Sequence, residues 1–184
     1  EGDKLPNVGP PSQLGNTPDV LTDATADFSF ALMMNAGRRV LEGDRYVREG
    51  KWKTWGPMLL LGNEMRGSTL GLVGFGRIGK AMARRAMGFD MRVIYYDPIN
   101  ERRDPDVKAY PVDFDTLLAE SDFISLHTPL TSDTHHLIDA ESLGRMKPNA
   151  VLVNTSRGPV IDIDALHEAL RDHKIFAAGL DVTE

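Results

Sequence analysis

The chain has 184 residues, 41% of them hydrophobic, which is enough apolar surface for the continuous core of one domain of ordinary size. It contains no cysteine, which excludes a disulfide framework, a thiolate metal site and a thiol nucleophile, and suits a reducing compartment such as the cytoplasm. With 27 acidic against 21 basic residues the formal net charge is -6, so neither nucleic acid nor an anionic membrane is an expected partner, and small molecules are favoured. The longest apolar runs, Phe30 to Met34 and Met58 to Leu61, are too short to span a bilayer, and Glu1-Gly2-Asp3-Lys4 does not open a secretory signal.

Residues 1–15 are rich in proline and glycine and lack an apolar period, so they read as a linker or a remnant, with one domain expected over 16–184 and order from about Thr17. From Thr22, read as an N-cap, Phe28, Ala31, Leu32, Asn35, Arg39 and Val47 recur at helical spacing and predict one long helix to about Glu49. Gly50 to Gly67 reads as an irregular connection in which Trp52, Trp55, Gly56 and Pro57 mark turns and buried anchors. Beyond it strands are predicted at 70–73, 91–96, 122–126, 150–154 and 176–181, separated by helices at 77–88, 113–120, 139–145 and 162–173. Runs such as Val151-Leu152-Val153 are continuously apolar, as strands covered on both faces require. The alternation predicts an α/β fold, a Rossmann-type doubly wound parallel sheet in a single domain with a long N-terminal helix. The methionines at 33–34 and within 82–91 read as core filler.

The first predicted strand runs into Gly74-Phe75-Gly76-Arg77-Ile78-Gly79, a Gly-x-Gly-x-x-Gly at the start of a helix. Gly74 allows the tight turn, Gly76 the approach of a pyrophosphate to the backbone, and Gly79 close packing of helix on strand. The amides of Arg77 and Ile78 at that helix N-terminus then face the phosphates. Asp97 ends the next strand, eighteen residues past Gly79, where a carboxylate accepts from ribose hydroxyls; this favours NAD over NADP. A different nucleotide-like ligand, such as S-adenosylmethionine, is compatible with a similar crevice.

In a parallel sheet all strands deliver their carboxyl ends to one edge. There lie His127-Thr128-Pro129-Leu130-Thr131 with Thr134, then Asn154-Thr155-Ser156-Arg157-Gly158, then Asp181. Asn, Ser and Thr are also ordinary turn residues. Arg157 is either a surface ion-pair partner or a fork that holds a carboxylate bidentately and polarises a neighbouring carbonyl. Of the five histidines, His127 stands at the crevice within reach of a cofactor, His135 and His136 at a loop-to-helix junction, and His167 and His173 on a charged helix; none is a convincing proton donor. No His, Asp or Glu spacing suggests a metal site.

Taken together, Gly50-Lys51-Trp52, the glycine turn, Tyr96-Asp97-Pro98, Asn154-Thr155-Ser156-Arg157-Gly158 and Ala178-Gly179-Leu180-Asp181-Val182 resemble the D-isomer-specific 2-hydroxyacid dehydrogenases, and most closely their glyoxylate and hydroxypyruvate reductase branch. The resemblance covers nearly everything from Asn16 onward. It implies that Arg77 and Ile78 meet the pyrophosphate, Asp97 the ribose, and Thr128, Pro129 and Thr134 the middle of the cofactor. It further implies that Thr155 and Ser156 flank the nicotinamide ribose, Asp181 holds the carboxamide, and Arg157 binds the substrate's carboxylate and carbonyl. In such enzymes a histidine tuned by a glutamate moves the proton; the glutamate matched to the family falls just past the end of this chain, and the histidine further on. The family's substrate-binding half is likewise expected before Asn16, so this chain alone is expected to be inactive, as one domain of a dimeric enzyme. The alternatives are an NAD-sensing interaction protein resembling the C-terminal-binding-protein corepressors, and a stand-alone dinucleotide-binding module.

Overall fold

In the computed structural model, which describes residues 21–99 and 105–183, the elements in chain order are α1 (Thr22–Gly37), α2 (Val40–Arg48), β1 (Thr69–Val73), α3 (Arg77–Met87), β2 (Arg92–Tyr96), β3 (Ala109–Pro111), α4 (Phe114–Glu120), β4 (Phe123–Leu126), α5 (Ala140–Arg145), β5 (Val151–Asn154), a 3-10 turn (Gly158–Val160), α6 (Ile163–Arg171) and β6 (Ala177–Leu180). The expected linker over 1–15 and the start of order near Thr17 lie outside the described residues. Among those described, no helix is long and apolar enough to cross a membrane.

The strands form one parallel sheet in the order β3-β2-β1-β4-β5-β6. Because side chains alternate across a strand, the central strands β1, β2, β4 and β5 feed two cores. Leu70, Leu72, Val93, Tyr95, Phe123, Val151 and Val153 point to one face, against Ala26, Phe30 and Met33 of α1 and Ala81, Met82 and Ala86 of α3. Val73, Ile94, Ile124, Leu126 and Leu152 point to the other, against Leu117 of α4, Leu143 of α5 and Leu166 of α6. This two-sided burial is the reason the strand sequences are apolar without alternation.

The helices on the second face start on aspartates. Asp113 accepts from Thr116 N at 2.7 Å, Asp139 from Ser142 N at 2.8 Å, and Asp162 from Ala165 N at 3.1 Å. Each carboxylate satisfies an orphan amide and opposes the positive end of the helix. α3 differs: its N-cap is Gly76, which offers no side-chain acceptor, and its first turn carries no acid.

The N-terminal region departs from the sequence expectation in four ways. The predicted long helix is two helices, because Arg39 adopts a left-handed conformation (φ 56) and ends α1. The Gly37 carbonyl left unpaired at that break accepts instead from Asn63 N at 2.7 Å. Thr22 is the first helical residue rather than the cap; Leu21 holds the cap position without a side-chain bond. The buried face of α1 is Ala26, Ser29, Phe30, Met33 and Gly37, while Phe28 and Ala31 face solvent. Apolar residues surround this helix, so periodicity alone did not select the face. Trp52 and Trp55 are exposed rather than anchors, and so is Met87. Two short elements went unforeseen, the three-residue strand β3 and the 3-10 turn at Gly158–Val160.

Candidate functional site

β1 pairs with β2 on one side and β4 on the other, so strand order reverses at β1 and the carboxyl ends of β1 and β4 bound a crevice. Gly74 makes the exit from β1 at φ +93, and a Cβ there would stand 2.7 Å from His127 O on β4's continuation. Only glycine combines that dihedral with that closeness. A Cβ on Gly79 would run into the Gly74 carbonyl, so this glycine lets α3 pack against the turn, while the Gly76 position has no heavy atom around it. The first intrahelical bond after the turn runs from Lys80 N to Gly76 O at 3.0 Å. The Ile78 and Gly79 amides thus precede the ladder, at a helix end with no carboxylate of its own.

Asp97 stands one residue past β2. Its Oδ2 accepts from Phe75 N at 2.8 Å and its Oδ1 from Ile99 N at 2.9 Å, while Gly74 N donates to Tyr96 O at 2.8 Å. The acid is therefore tied to the glycine turn as well as placed at the crevice. Beneath the turn the Phe75 ring stacks on Tyr95 with centroids 3.9 Å apart, which fixes the turn to the first core.

Gly74, Gly76, Asp97, Thr128, Pro129 and Thr134 line one crevice of about 410 Å³, together with Pro98, Ile99, His127, Thr131 and Asp133. Thr128 keeps its Oγ1 buried without a hydrogen-bond partner. Such an orphan costs roughly 1–3 kcal/mol unless a ligand satisfies it, so the site fits a polar guest. Thr134 plays a second part: its hydroxyl donates to Pro129 O at 2.6 Å and accepts from Thr131 N at 2.8 Å, which closes the loop over 129–134. His127 Nε2 lies 3.0 Å from Ser125 Oγ, and burial pushes this histidine down to about 4, so the ring is neutral near pH 7. A cavity of about 560 Å³ adjoins on the far side of Asp97, between β2 and β3. Another, of about 530 Å³ at Asp90, Arg92 and Lys108, opens at the opposite edge of the sheet, away from the glycine turn.

Thr155, Ser156, Arg157 and Asp181 stand on the same edge but beyond this crevice, after β5 and β6. Buried Asn154 organises their loop: its Oδ1 accepts from Ser156 N at 2.9 Å and Ser156 Oγ at 2.8 Å, and its Nδ2 donates to Arg157 O at 2.9 Å. Asp181 N donates to Asn154 O at 3.0 Å, which joins the two strand ends. Arg157 is exposed, and its Nη1 donates to Ser156 O at 2.7 Å. The His135 and His136 rings stack with centroids 4.0 Å apart, and His136 N donates to Pro159 O at 2.8 Å, so this pair holds the 131–137 loop against the Gly158–Val160 turn. Among the described residues no group of histidine and acid side chains could hold a metal.

Sequence reasoning missed Ser29 on α1 and Ser125 on β4, both fully buried and both hydrogen-bonded to residues at this edge. The available signal was a hydroxyl within an otherwise apolar run. It also passed over Ile99, which with Pro98 adds apolar surface beside Asp97.

Residues 30–184 match the family described as D-isomer specific 2-hydroxyacid dehydrogenase, NAD binding domain. A glyoxylate reductase of Korarchaeum cryptofilum is 59% identical over 173 residues, covering 92% of this chain and 52% of that protein. A crystal structure of a protein from Thermus thermophilus superposes with a TM-score of 0.85 at 52% identity, over 91% of this chain and 52% of the other. That of a D-lactate dehydrogenase with NAD+ from Lactobacillus jensenii does so with a TM-score of 0.81 at 36% identity, over 91% and 50%. The chain thus spans about half the length of the relatives it matches. An uncapped helix behind a glycine turn, an acid at the end of β2 and a match that runs through every strand lead to one assignment: the chain belongs to the D-isomer specific 2-hydroxyacid dehydrogenase family, as its NAD-binding domain, with NAD as the cofactor.

Proposed function

We propose that this domain is the cofactor half of an oxidoreductase that moves hydride between NAD(H) and a small D-2-hydroxy acid or its 2-oxo counterpart, with glyoxylate or hydroxypyruvate as substrate. The buried, unpartnered Thr128 hydroxyl in a crevice walled by the glycine turn carries this reading, since it leaves an unmet hydrogen bond that a bound dinucleotide satisfies. The names of the relatives favour the enzyme over a corepressor.

NAD, when bound, supplies or takes up the hydride. The chain's own residues bind and orient. The amides at the start of α3, with Arg77 and Ile78, take the pyrophosphate past Gly74, Gly76 and Gly79, while Asp97 accepts from the adenosine ribose and Pro98 and Ile99 flank the base. Thr128, Pro129 and Thr134 contact the middle of the cofactor, Thr155 and Ser156 the second ribose, and Asp181 the carboxamide N–H. Arg157, the one cation on the β5 loop over 154–158, receives the substrate's carboxylate and polarises its carbonyl. Neutral His127 is unsuited to donate the proton, which falls to a group outside these residues.

The domain pairs with a second copy through α2 and the connection after it. α2 buries no residue, and Leu41 (72% exposed), Trp55 (72%) and Met58 (78%) form an uncovered apolar surface. The absence of cysteine suits the cytoplasm. The deciding experiment is NADH oxidation by the full-length protein with a panel of 2-oxo acids, with and without Arg157→Met. Turnover that survives loss of the arginine would sink its assigned role, and no turnover with any 2-oxo acid would sink the reading.

A further inference from the structure

Ser29, on the buried face of α1, reaches across to the β5 loop: its Oγ lies 2.7 Å from Thr155 Oγ1 and 2.7 Å from the Thr25 carbonyl, 126 residues and four residues away in sequence. Either hydroxyl could donate in the first contact taken alone. The second contact removes the ambiguity. A carbonyl oxygen only accepts, and two oxygens 2.7 Å apart with no hydrogen between them repel, so the single hydroxyl hydrogen of Ser29 goes to Thr25 O. Thr155 must then give its own hydrogen to Ser29. With that hydrogen committed to Ser29, Thr155 Oγ1 has only lone pairs left to offer any further partner.

We propose that Ser29 is a positioning residue that sets Thr155 as an obligate acceptor, so that this point of the site takes a hydrogen-bond donor, a ribose hydroxyl, and rejects a phosphate oxygen. This rests on the proposed placement of the cofactor's second ribose at Thr155. The hydroxyl polarity acts as an orientation filter. Anionic phosphate, which only accepts, is welcome at the amides of α3 and unwelcome at β5, so a dinucleotide is aligned along the edge in one direction. Ser29 is fully buried, so bulk water does not replace the acceptor if it is lost, and the Thr155 hydroxyl becomes free to rotate.

The test is calorimetric titration of the chain with NAD and with ADP, which carries the adenosine and both phosphates but ends before the second ribose. Ser29→Ala should weaken NAD about five- to tenfold, the size of one hydrogen bond, and change ADP less than about twofold. Ser29→Cys, which keeps the volume with a poor acceptor, should behave like Ser29→Ala, and neither should weaken NAD further in a Thr155→Val background. Equal losses with both ligands would reduce Ser29 to a packing role and overturn the proposal, as would an unchanged NAD affinity or effects that add fully to those of Thr155→Val. Failure of the unmodified chain to bind NAD or ADP would instead sink the cofactor site. NAD binding no tighter than ADP would remove the second ribose from Thr155, and the proposal with it.

Discussion

Asp97 Oδ2 and Phe75 N are 2.8 Å apart, so the acid that ends β2 also braces the glycine turn that ends β1. One carboxylate thereby sets two parts of the site. Asp97→Ala should lower NAD affinity about ten- to a hundredfold, from charged hydrogen bonds worth roughly 1.5–3 kcal/mol. Asp97→Asn keeps one acceptor and should lose less. In the unaltered chain NADP should bind far more weakly than NAD, because its 2′-phosphate meets a carboxylate. Titration calorimetry checks all three, and equal affinity for the two cofactors would mean that Asp97 does not face the ribose.

His127 gives the fold a pH dependence of known sign. Burial lowers it from 6.5 to about 4, so between those values the unfolded chain binds the proton and the folded chain does not. Stability should rise with pH across this window, by at most about 1.4 kcal/mol per unit, and level off above it. Urea midpoints measured from about pH 4 to 7 should lose this part of their slope in His127→Gln.

A second polar cluster lies at the other edge of the sheet. Burial of Asp122 opposes its ionisation, but bonds from Thr69 N (2.9 Å), Lys147 Nζ (2.9 Å) and Asn149 Nδ2 (3.3 Å) outweigh this and hold it below the usual carboxylate range. Its contribution is therefore complete above the unfolded value and is lost as pH falls through the folded one. Asp122→Ala should destabilise the domain by about 2–4 kcal/mol, since it leaves a buried amide and a lysine without their acceptor. Thermal unfolding at pH 7 measures it; a change below about half a kilocalorie would show the cluster to be dispensable.

For the apolar arm, light scattering at tens of micromolar should give the mass of a dimer, and Trp55→Ser with Met58→Lys should give a monomer that still binds NAD. A monomeric mass for the unaltered chain would end that proposal.

Residues 1–184 alone should bind NAD yet oxidise no NADH with glyoxylate above background. Among the described residues Arg157 is the one group proposed for the substrate, and the neutral ring of His127 is a poor proton donor near pH 7. An absent proton donor alone costs roughly 10²- to 10⁴-fold. Turnover abolished by His127→Gln would make that residue the donor.

The alternation of strands and helices was legible because two-sided burial writes itself as unbroken apolar runs, Leu70 to Val73 and Val151 to Val153 among them. The glycine turn and Asp97 were legible because their geometry admits few residue types. α1 was not. Phe28 and Phe30 are equally apolar, and only the shape of the sheet decides that Phe30 is buried. The break at Arg39 was hidden for a related reason: a left-handed arginine has no local signature, and the amide of Asn63 that takes up the Gly37 carbonyl is distant in sequence. The link between Ser29 and Thr155 spans most of the chain, and a hydroxyl pair has no periodicity to read.

The left-handed turn at Arg39 divides labour between the two N-terminal helices. α1 is clamped to the sheet and helps shape the cofactor edge, whereas α2 departs from it at the left-handed Arg39 and buries no residue of its own. Substitutions there can re-aim α2, and with it the proposed contact between copies, without disturbing a single strand. That proposed contact and the cofactor edge are thereby free to drift apart in evolution, each constrained by its own few residues.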